Sequence, residues 1–117
     1  MRIPHKVEIK PGISYYVTYV DKFDDPLQMG YCLGADSEMG CRTIQIKKGL
    51  TPSMKARTFL HELLHAIDFE WGIKIPHKII EALEKPLLVL FTRNPSAFTA
   101  AFAGAAKKRK AKKKKRG

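Results

Sequence analysis

The sequence predicts an α+β domain in which a small, mostly antiparallel sheet of three or four strands packs on two helices. In the first half of the chain, short runs of β-branched and aromatic residues alternate with turns that contain Gly, Pro or Asp. In the second half, apolar residues recur at helical spacing. The chain has 117 residues, of which 44% are hydrophobic, and this is enough for one domain with its own core. We expect that single domain to cover residues 1–106.

Four short segments in the first half have the composition of strands. The turn-forming residues Pro11 and Gly12 separate the first two segments. In the fourth segment, Ile44 and Ile46 alternate with polar residues, as in a strand with one buried face. We expect three or four of these segments to form a meander of mostly antiparallel strands. The four segments are residues 7–10, 13–20, 29–33 and 42–48.

The first long helix is expected over residues 52–70. Thr51 is a typical N-cap, and Pro52 suits the first helical position because an N–H there would have no partner within the helix. Gly72 can adopt the left-handed conformation that ends many helices. The motif HELLH at residues 61–65 therefore lies well inside a regular helix.

A second helix is expected to begin near Pro76, after a short loop. Pro86 lies inside its apolar pattern and should kink or interrupt it. A third, Ala-rich helical segment follows Pro95 and ends near residue 106. The second-helix residues that we expect to face the core are Ile79, Ile80, Leu83 and Leu87.

The first helix contains two histidines and a glutamate at the spacing of a metal site. Residues four apart in a helix lie on one face, so His61 and His65 can direct both imidazoles at one ion. Glu62 lies about 100° around the helix axis from His61, near the ion and able to accept a proton from water. His61 and His65 are therefore candidate zinc ligands, and Glu62 is the candidate general base.

The residues around this motif favour a metal site over two incidental surface histidines. Leu63 and Leu64, between the histidines, are apolar, whereas an exposed helix would carry charges there. Asp68 lies three residues after His65, on the same stripe of the helix. A carboxylate at that position can accept the second ring N–H of a ligand histidine and hold its tautomer. Asp68 is therefore a candidate orienting residue.

Catalytic zinc normally has three protein ligands, and the second helix offers three candidates for the third. His77, Glu81 and Glu84 are spaced i, i+4 and i+7, so they share one face. The loop at about residues 71–75 is short enough to bring that face back towards the first helix. We favour His77, since it lies at the helix start and imidazole binds zinc well. Glu81 is the alternative, and Glu84 is the third choice.

The stretch TFLHELLHAIDFEWGIKIP, at residues 58–76, resembles the active-site helix of short HExxH proteins that are common in bacteriophage and prophage genomes. Those proteins are similar to minimal gluzincins and, more loosely, to ImmA/IrrE-type and SprT-like metallopeptidases. The resemblance covers about residues 12–95. It implies a zincin-like fold, with a small twisted sheet packed on the HExxH helix. It also implies a zinc-dependent peptidase with His61 and His65 as ligands and Glu62 as base.

The resemblance leaves two choices for the third ligand. Gluzincins use a downstream glutamate, whereas SprT-like proteins use a histidine; here His77 lies at the matching position, and Glu81 stays the alternative. In such folds the edge strand beside the cleft can bind an extended peptide, and the alternative is an ordinary edge strand without that role. Residues 42–48 directly precede the active-site helix and are the expected edge strand. The residues available to stabilise a transition state are Tyr15, Tyr16, Tyr19, Tyr31 and Lys78.

The net charge of +11 is concentrated in one run of the sequence. Nine of the 22 basic residues lie at positions 107–116, and the remaining 13 nearly balance the 11 acidic residues. We expect residues 107–117 to form a disordered tail, because like charges repel and nothing apolar remains to be buried. Such a tail is a candidate for non-specific contact with nucleic-acid phosphates, without base stacking, since it lacks aromatic residues.

Three function hypotheses follow from these features. The leading one is zinc-dependent hydrolysis of a protein or peptide substrate. The second is a catalytically inactive regulator that keeps a zinc site, and the third is a basic nucleic-acid-binding protein in which HELLH is incidental. No apolar run has the length of a signal-peptide core at the N-terminus or of a membrane span, so we expect a cytoplasmic protein without membrane contact. Cys32 and Cys41 match neither a redox pair nor a zinc ribbon and are expected to be reduced thiols.

Overall fold

The structure is a computed structural model that describes residues 3–34, 42–97 and 99–103. The predicted basic tail at residues 107–117 lies outside these described residues. Residues 95–97 and 99–103 are helical, in agreement with the predicted Ala-rich segment. Together the elements confirm the predicted α+β class. In chain order they are β1 (Lys6–Lys10), β2 (Ile13–Val20), β3 (Gly30–Leu33), β4 (Thr43–Lys47), α1 (Pro52–Trp71) and α2 (His77–Arg93).

The four strands form one sheet in the order β1-β2-β4-β3, which is not the predicted meander. Two of the pairings, β1 with β2 and β3 with β4, are antiparallel, but β2 and β4 are parallel neighbours. β4 is therefore a central strand, and the prediction that residues 42–48 form the sheet edge is wrong. The edge strand beside β4 is β3. The physical reason is burial. Ile44 and Ile46 of β4 are 0% exposed, and a central strand is covered by a neighbouring strand on each side, here β2 and β3.

α1 packs against one face of the sheet, and the core lies between them. At the start of α1, Thr51 Oγ1 accepts a hydrogen bond from the Met54 N–H at 3.2 Å. At its end, Gly72 adopts a left-handed conformation with φ of 60°. Both predicted caps are confirmed, so HELLH lies within an uninterrupted helix. The core residues are Tyr15, Val17, Cys32, Ile44 and Ile46 from the sheet and Ala66 from α1.

The last turn of α1 is attached to the sheet by contacts that the sequence did not predict. Glu70 Oε2 accepts hydrogen bonds from the Tyr15 hydroxyl and from Arg42 Nε, both at 2.7 Å. The next residue, Trp71, donates its indole N–H to the Ile9 carbonyl at 3.0 Å. These bonds hold the C-terminal end of α1 against β1 and β2, and so they position the HELLH motif relative to the sheet.

α2 packs against α1. Of the four residues predicted to face the core, Ile80 is fully buried and Leu87 is half-buried. The prediction is wrong for Ile79 and Leu83, which are 47% and 36% exposed. The reason is that α2 lies along the side of α1, so that only one narrow stripe is covered. Pro86 lies inside α2 without ending it.

Candidate metal centre

Three histidine side chains from two helices meet at one point. Nε2 of His61 lies 3.2 Å from Nε2 of His65, one turn further along α1. It also lies 3.2 Å from Nε2 of His77, the first residue of α2. One nitrogen from each ring lies within 4.8 Å of the other two. The short loop between the helices brings the start of α2 beside the HELLH motif, and this is why His77 reaches the pair on α1.

Two of the three separations between these nitrogens fit a tetrahedral zinc ion. Two nitrogens bound to zinc at about 2.0–2.1 Å lie about 3.3 Å apart at a tetrahedral angle. The two Nε2–Nε2 separations of 3.2 Å are close to that value. Hydrogen bonds between the rings account for the arrangement less well. Nδ1 of His61 faces a carboxylate, so a neutral ring carries its proton there and Nε2 has one lone pair for two neighbours.

That carboxylate belongs to Glu84, which is 7% exposed. Its Oε2 lies 2.5 Å from Nδ1 of His61, and its Oε1 accepts a hydrogen bond from Arg57 Nε at 2.8 Å. Burial alone would raise the pKa of Glu84, but the hydrogen bonds from His61 and Arg57 hold that pKa below its usual value. The ionised carboxylate keeps the His61 proton on Nδ1. The lone pair of Nε2 then points towards the other two histidines. Glu84 therefore orients a ring and is not among the converging atoms.

Glu81 has the same relation to His77. Its Oε1 lies 3.1 Å from Nδ1 of His77, and both side chains are more than half exposed. Asp68, predicted to orient a histidine, instead accepts a hydrogen bond from the Ile75 N–H at 2.9 Å and so closes the loop between the helices. The structure thus places Glu84 and Glu81 behind the rings, where the sequence analysis had placed Asp68.

The surroundings of His65 favour the neutral form of its ring. Its burial, followed by the proximity of His61 and His77, lowers the pKa of His65. The ring consequently loses its proton more readily than an exposed histidine does. Neutral imidazole is the form that coordinates metals.

Glu62 is buried beside the histidines, with 6% exposure. Burial, followed by the charge of Glu84, raises the pKa of Glu62 to about 7. A carboxyl group with a pKa near neutrality exchanges protons readily at physiological pH, as a general base must. A cation held by the histidines would lower that pKa and favour the ionised base.

The room for this carboxylate depends on a glycine in the edge strand. A Cβ built on Gly30 would lie 3.0 Å from Glu62 Oε2 and 2.5 Å from Cγ2 of Thr58. The distance to Glu62 is at the limit of ordinary contacts, and the distance to Thr58 is shorter than that limit. β3 can therefore approach α1 this closely only because residue 30 has no side chain. In the sequence, Gly30 is one residue of the predicted strand segment 29–33, and it was not among the predicted site residues.

The histidines, Glu62 and β3 line one cavity of about 680 Å³. The Lys47 N–H donates to the Met29 carbonyl at 2.8 Å. By the alternation of antiparallel pairs, Gly30 and Cys32 therefore direct their backbone N–H and C=O groups away from β4. The Gly30 carbonyl accepts a hydrogen bond from Gln28 Nε2 at 3.0 Å. Among the described strands none lies beyond β3, so its outer edge borders the cavity with these backbone groups.

Of the five residues considered as transition-state stabilisers, Tyr31 lines the cavity. The Tyr15 hydroxyl is bonded to Glu70, and the Tyr19 ring lies under Lys55 Nζ at 5.6 Å. Cys32, also in the cavity wall, has a free thiol whose pKa is raised to about 12 by burial and by nearby carboxylates, so the thiol is neutral. Cys41 lies outside the described residues.

Comparisons of the chain with protein-family models, with curated proteins and with solved structures give no match. The resemblance to short HExxH peptidases therefore stays a prediction, and the geometry of the three histidines carries the functional argument. Within the described part of the chain, no helix combines the length and the apolar character needed to cross a membrane.

Proposed function

We propose that this protein is a zinc-dependent peptidase in which His61, His65 and His77 hold the ion and Glu62 is the general base. The observation that carries the proposal is the convergence of three histidine nitrogens, two of them 3.2 Å from the third, beside a buried carboxylate. Two helices contribute to this cluster, and carboxylates lie behind two of the rings. An incidental pair of surface histidines would have none of these partners.

The chemistry divides between the ion and the chain. When bound, zinc supplies Lewis acidity, which lowers the pKa of water and polarises a carbonyl group. Glu62 accepts a proton from the attacking water and transfers it to the leaving amine. Glu84 and Glu81 hold His61 and His77 in the tautomers that leave their Nε2 lone pairs for the ion.

The substrate proposed for this site is an extended segment of a protein or peptide. The open edge of β3 borders the cavity, and its outward backbone groups at Cys32 can pair with such a segment by strand addition. Met29 and Phe69, which are 37% and 52% exposed, also line the cavity and can contact apolar side chains of the bound segment. Residues 42–48 were the first candidate for this role, but β4 is a central strand and β3 is the edge strand beside it, so we propose β3 instead.

The proposal is tested by metal analysis and by one active-site variant. We expect the purified full chain to contain one zinc ion per molecule and to cleave unfolded protein substrates. Glu62→Gln should retain the zinc and lose at least about 100-fold in cleavage rate, the lower range for a positioned general base. His5→Ala is the control, since His5 is exposed and is not among the cavity-lining residues.

The possible results separate the three function hypotheses. Stoichiometric zinc without any cleavage by the unmodified chain would replace the peptidase by a catalytically inactive zinc-binding regulator. Absence of zinc, with the same activity in Glu62→Gln as in the unmodified chain, would show that the HELLH motif is incidental.

A further inference from the structure

Arg57 is a cavity residue to which the proposed function gives no task beyond its contact with Glu84. It lies one helical turn before His61 on α1 and lines the same cavity as the three histidines and Glu62. Among the described residues that line this cavity, it is the one side chain with a permanent positive charge. A fixed cation next to the proposed cleavage site is a candidate for binding part of the substrate.

The guanidinium of Arg57 is anchored, but most of its donors are unused. Nε donates to Glu84 Oε1 at 2.8 Å, which accounts for one of its five N–H groups. Within the described part of the chain, no hydrogen bond involves the two terminal amino groups. The Arg57 side chain is 49% exposed, whereas that of Glu84 is 9% exposed. The inner edge of the guanidinium is therefore held in place, and the remaining donors are accessible to a ligand in the cavity.

We propose that Arg57 binds a carboxylate of the substrate through its terminal amino groups. The planar fork of arginine matches a carboxylate, which accepts two parallel N–H bonds. The substrates would then be peptides with a negative group close to the cleaved bond, either an Asp or Glu side chain or the free C-terminus. This inference rests on the proposed function, because it takes the histidine cluster as the place of cleavage.

The distances along the helix limit where that carboxylate lies in the substrate. Arg57 and His61 are four residues apart, which is about 6 Å along a helix axis. An extended peptide advances about 3.3–3.6 Å per residue, so the carboxylate lies about two residues from the cleaved bond. Three carboxyl groups also line the cavity: Glu84 is paired with Arg57, and Glu62 and Glu81 repel an anion from the positions beside them.

A purely structural role for Arg57, holding Glu84 in place, makes a different prediction. Loss of that role would disturb His61 through Glu84, so zinc binding and the binding of every peptide would weaken together. A role in substrate binding instead changes the ratio between peptides that differ only in charge. The ratio is therefore the quantity to measure.

The experiment uses the full chain carrying Glu62→Gln, loaded with zinc, and fluorescent peptides whose binding is followed by anisotropy. One pair of peptides differs by Glu against Gln two residues from the central bond, and a second pair by a free against an amidated C-terminus. We expect the carboxylate member of one pair to bind about tenfold more tightly than its amide. The two pairs distinguish a side-chain carboxylate from a terminal one.

Three substitutions are then compared in the same background. Arg57→Gln should abolish the preference for the carboxylate, and Arg57→Lys should retain part of it, because an ammonium keeps the charge without the fork. Lys55→Gln is the matched control. It removes one positive charge from the same helix, but Lys55 lies over the Tyr19 ring and does not line the cavity, so the preference should be unchanged. The zinc affinity of each variant is measured alongside.

Equal binding of the carboxylate and amide peptides by the parent chain would overturn this inference. So would a preference that persists in Arg57→Gln, because the carboxylate would then be bound by the ion itself. If Arg57→Gln does not fold, Arg57→Lys with an unchanged preference has the same consequence. If the unmodified chain cleaves neutral peptides as efficiently as acidic ones, the inference about Arg57 is refuted and the proposed function stands. If it cleaves neither kind of peptide, the proposed function is refuted as well.

Discussion

Oε2 of Glu84 lies 2.5 Å from Nδ1 of His61, and this contact connects the middle of α2 to the HELLH motif on α1. The two side chains are only 9% and 18% exposed, so the interaction is shielded from water and is stronger than it would be at the surface. α2 thus contributes His77 at its start and an orienting carboxylate two turns later. The packing of the two helices and the geometry of the histidine cluster are therefore coupled.

Glu84→Gln should weaken zinc binding. An amide oxygen can still accept the His61 N–H, but the charge that makes the ring more basic is lost, and we expect the zinc dissociation constant to rise about 10- to 100-fold. Competition with a chromogenic chelator measures this change. Glu81→Gln is the matched control, and its effect should be smaller because Glu81 is 58% exposed. An equal loss of zinc affinity in the two variants would contradict the expectation that Glu84 contributes more to zinc binding than Glu81.

His77→Ala should weaken zinc binding more than either of those variants. It removes a proposed ligand, so the loss should exceed the roughly 100-fold limit for removing an outer partner. The fold should persist in the metal-free form, because the His77 side chain is 59% exposed. Zinc titration and thermal unfolding with and without a chelator measure the two effects. A larger loss of zinc affinity in Glu81→Ala than in His77→Ala would make Glu81 the third ligand.

Gly30→Ala should destabilise the fold and disturb the candidate base. The new Cβ would lie 2.5 Å from Cγ2 of Thr58, and such overpacking costs about 1–3 kcal/mol. Urea unfolding in the presence of a chelator measures the free energy of unfolding without the contribution of bound metal. The double variant with Thr58→Ser removes the clashing methyl group and should recover part of the loss. If the double variant is no more stable than Gly30→Ala, the contact with Thr58 is not the cause.

Glu70 should make the stability of the fold depend on pH. The hydrogen bond from Arg42 has the largest effect on the Glu70 carboxyl and, with a smaller one from Tyr15, lowers the pKa below its usual value of 4.5 despite burial. As the pH falls, the Glu70 carboxyl is therefore protonated in the unfolded chain before it is protonated in the folded one. The stabilisation from Glu70 is fully present above pH 4.5 and is lost as the pH falls towards the folded-state pKa.

Glu70→Gln tests this dependence. We expect the variant to be less stable than the unmodified chain by about 1.5–3 kcal/mol at pH 7, the range for hydrogen bonds to a charged group. The difference should shrink as the pH falls from 4.5 towards the lowered folded-state pKa, below which the carboxyl is protonated in both states. Chemical unfolding at a series of pH values gives the difference directly. A difference that is constant from pH 7 to pH 3 would show that the charge of Glu70 contributes nothing.

The sequence determined the features of this protein that depend on neighbours along the chain. The caps at Thr51 and Gly72 define α1, because a threonine oxygen and a glycine backbone act within one turn of the helix. The pairing of His61 with His65 follows from the helical repeat alone. The strand segments were likewise predicted by their alternation and turn residues.

The tertiary structure decided everything that depends on residues distant in sequence. Placing β4 inside the sheet, and β3 at its edge, follows from covering Ile44 and Ile46 on both sides, a requirement that strand composition does not express. The carboxylates behind the histidine rings are Glu84 and Glu81 and not Asp68, because the angle between α1 and α2 sets which side chains meet. Local spacing fixes which residues share a face, but only the packing of one element on another decides which partner each face receives.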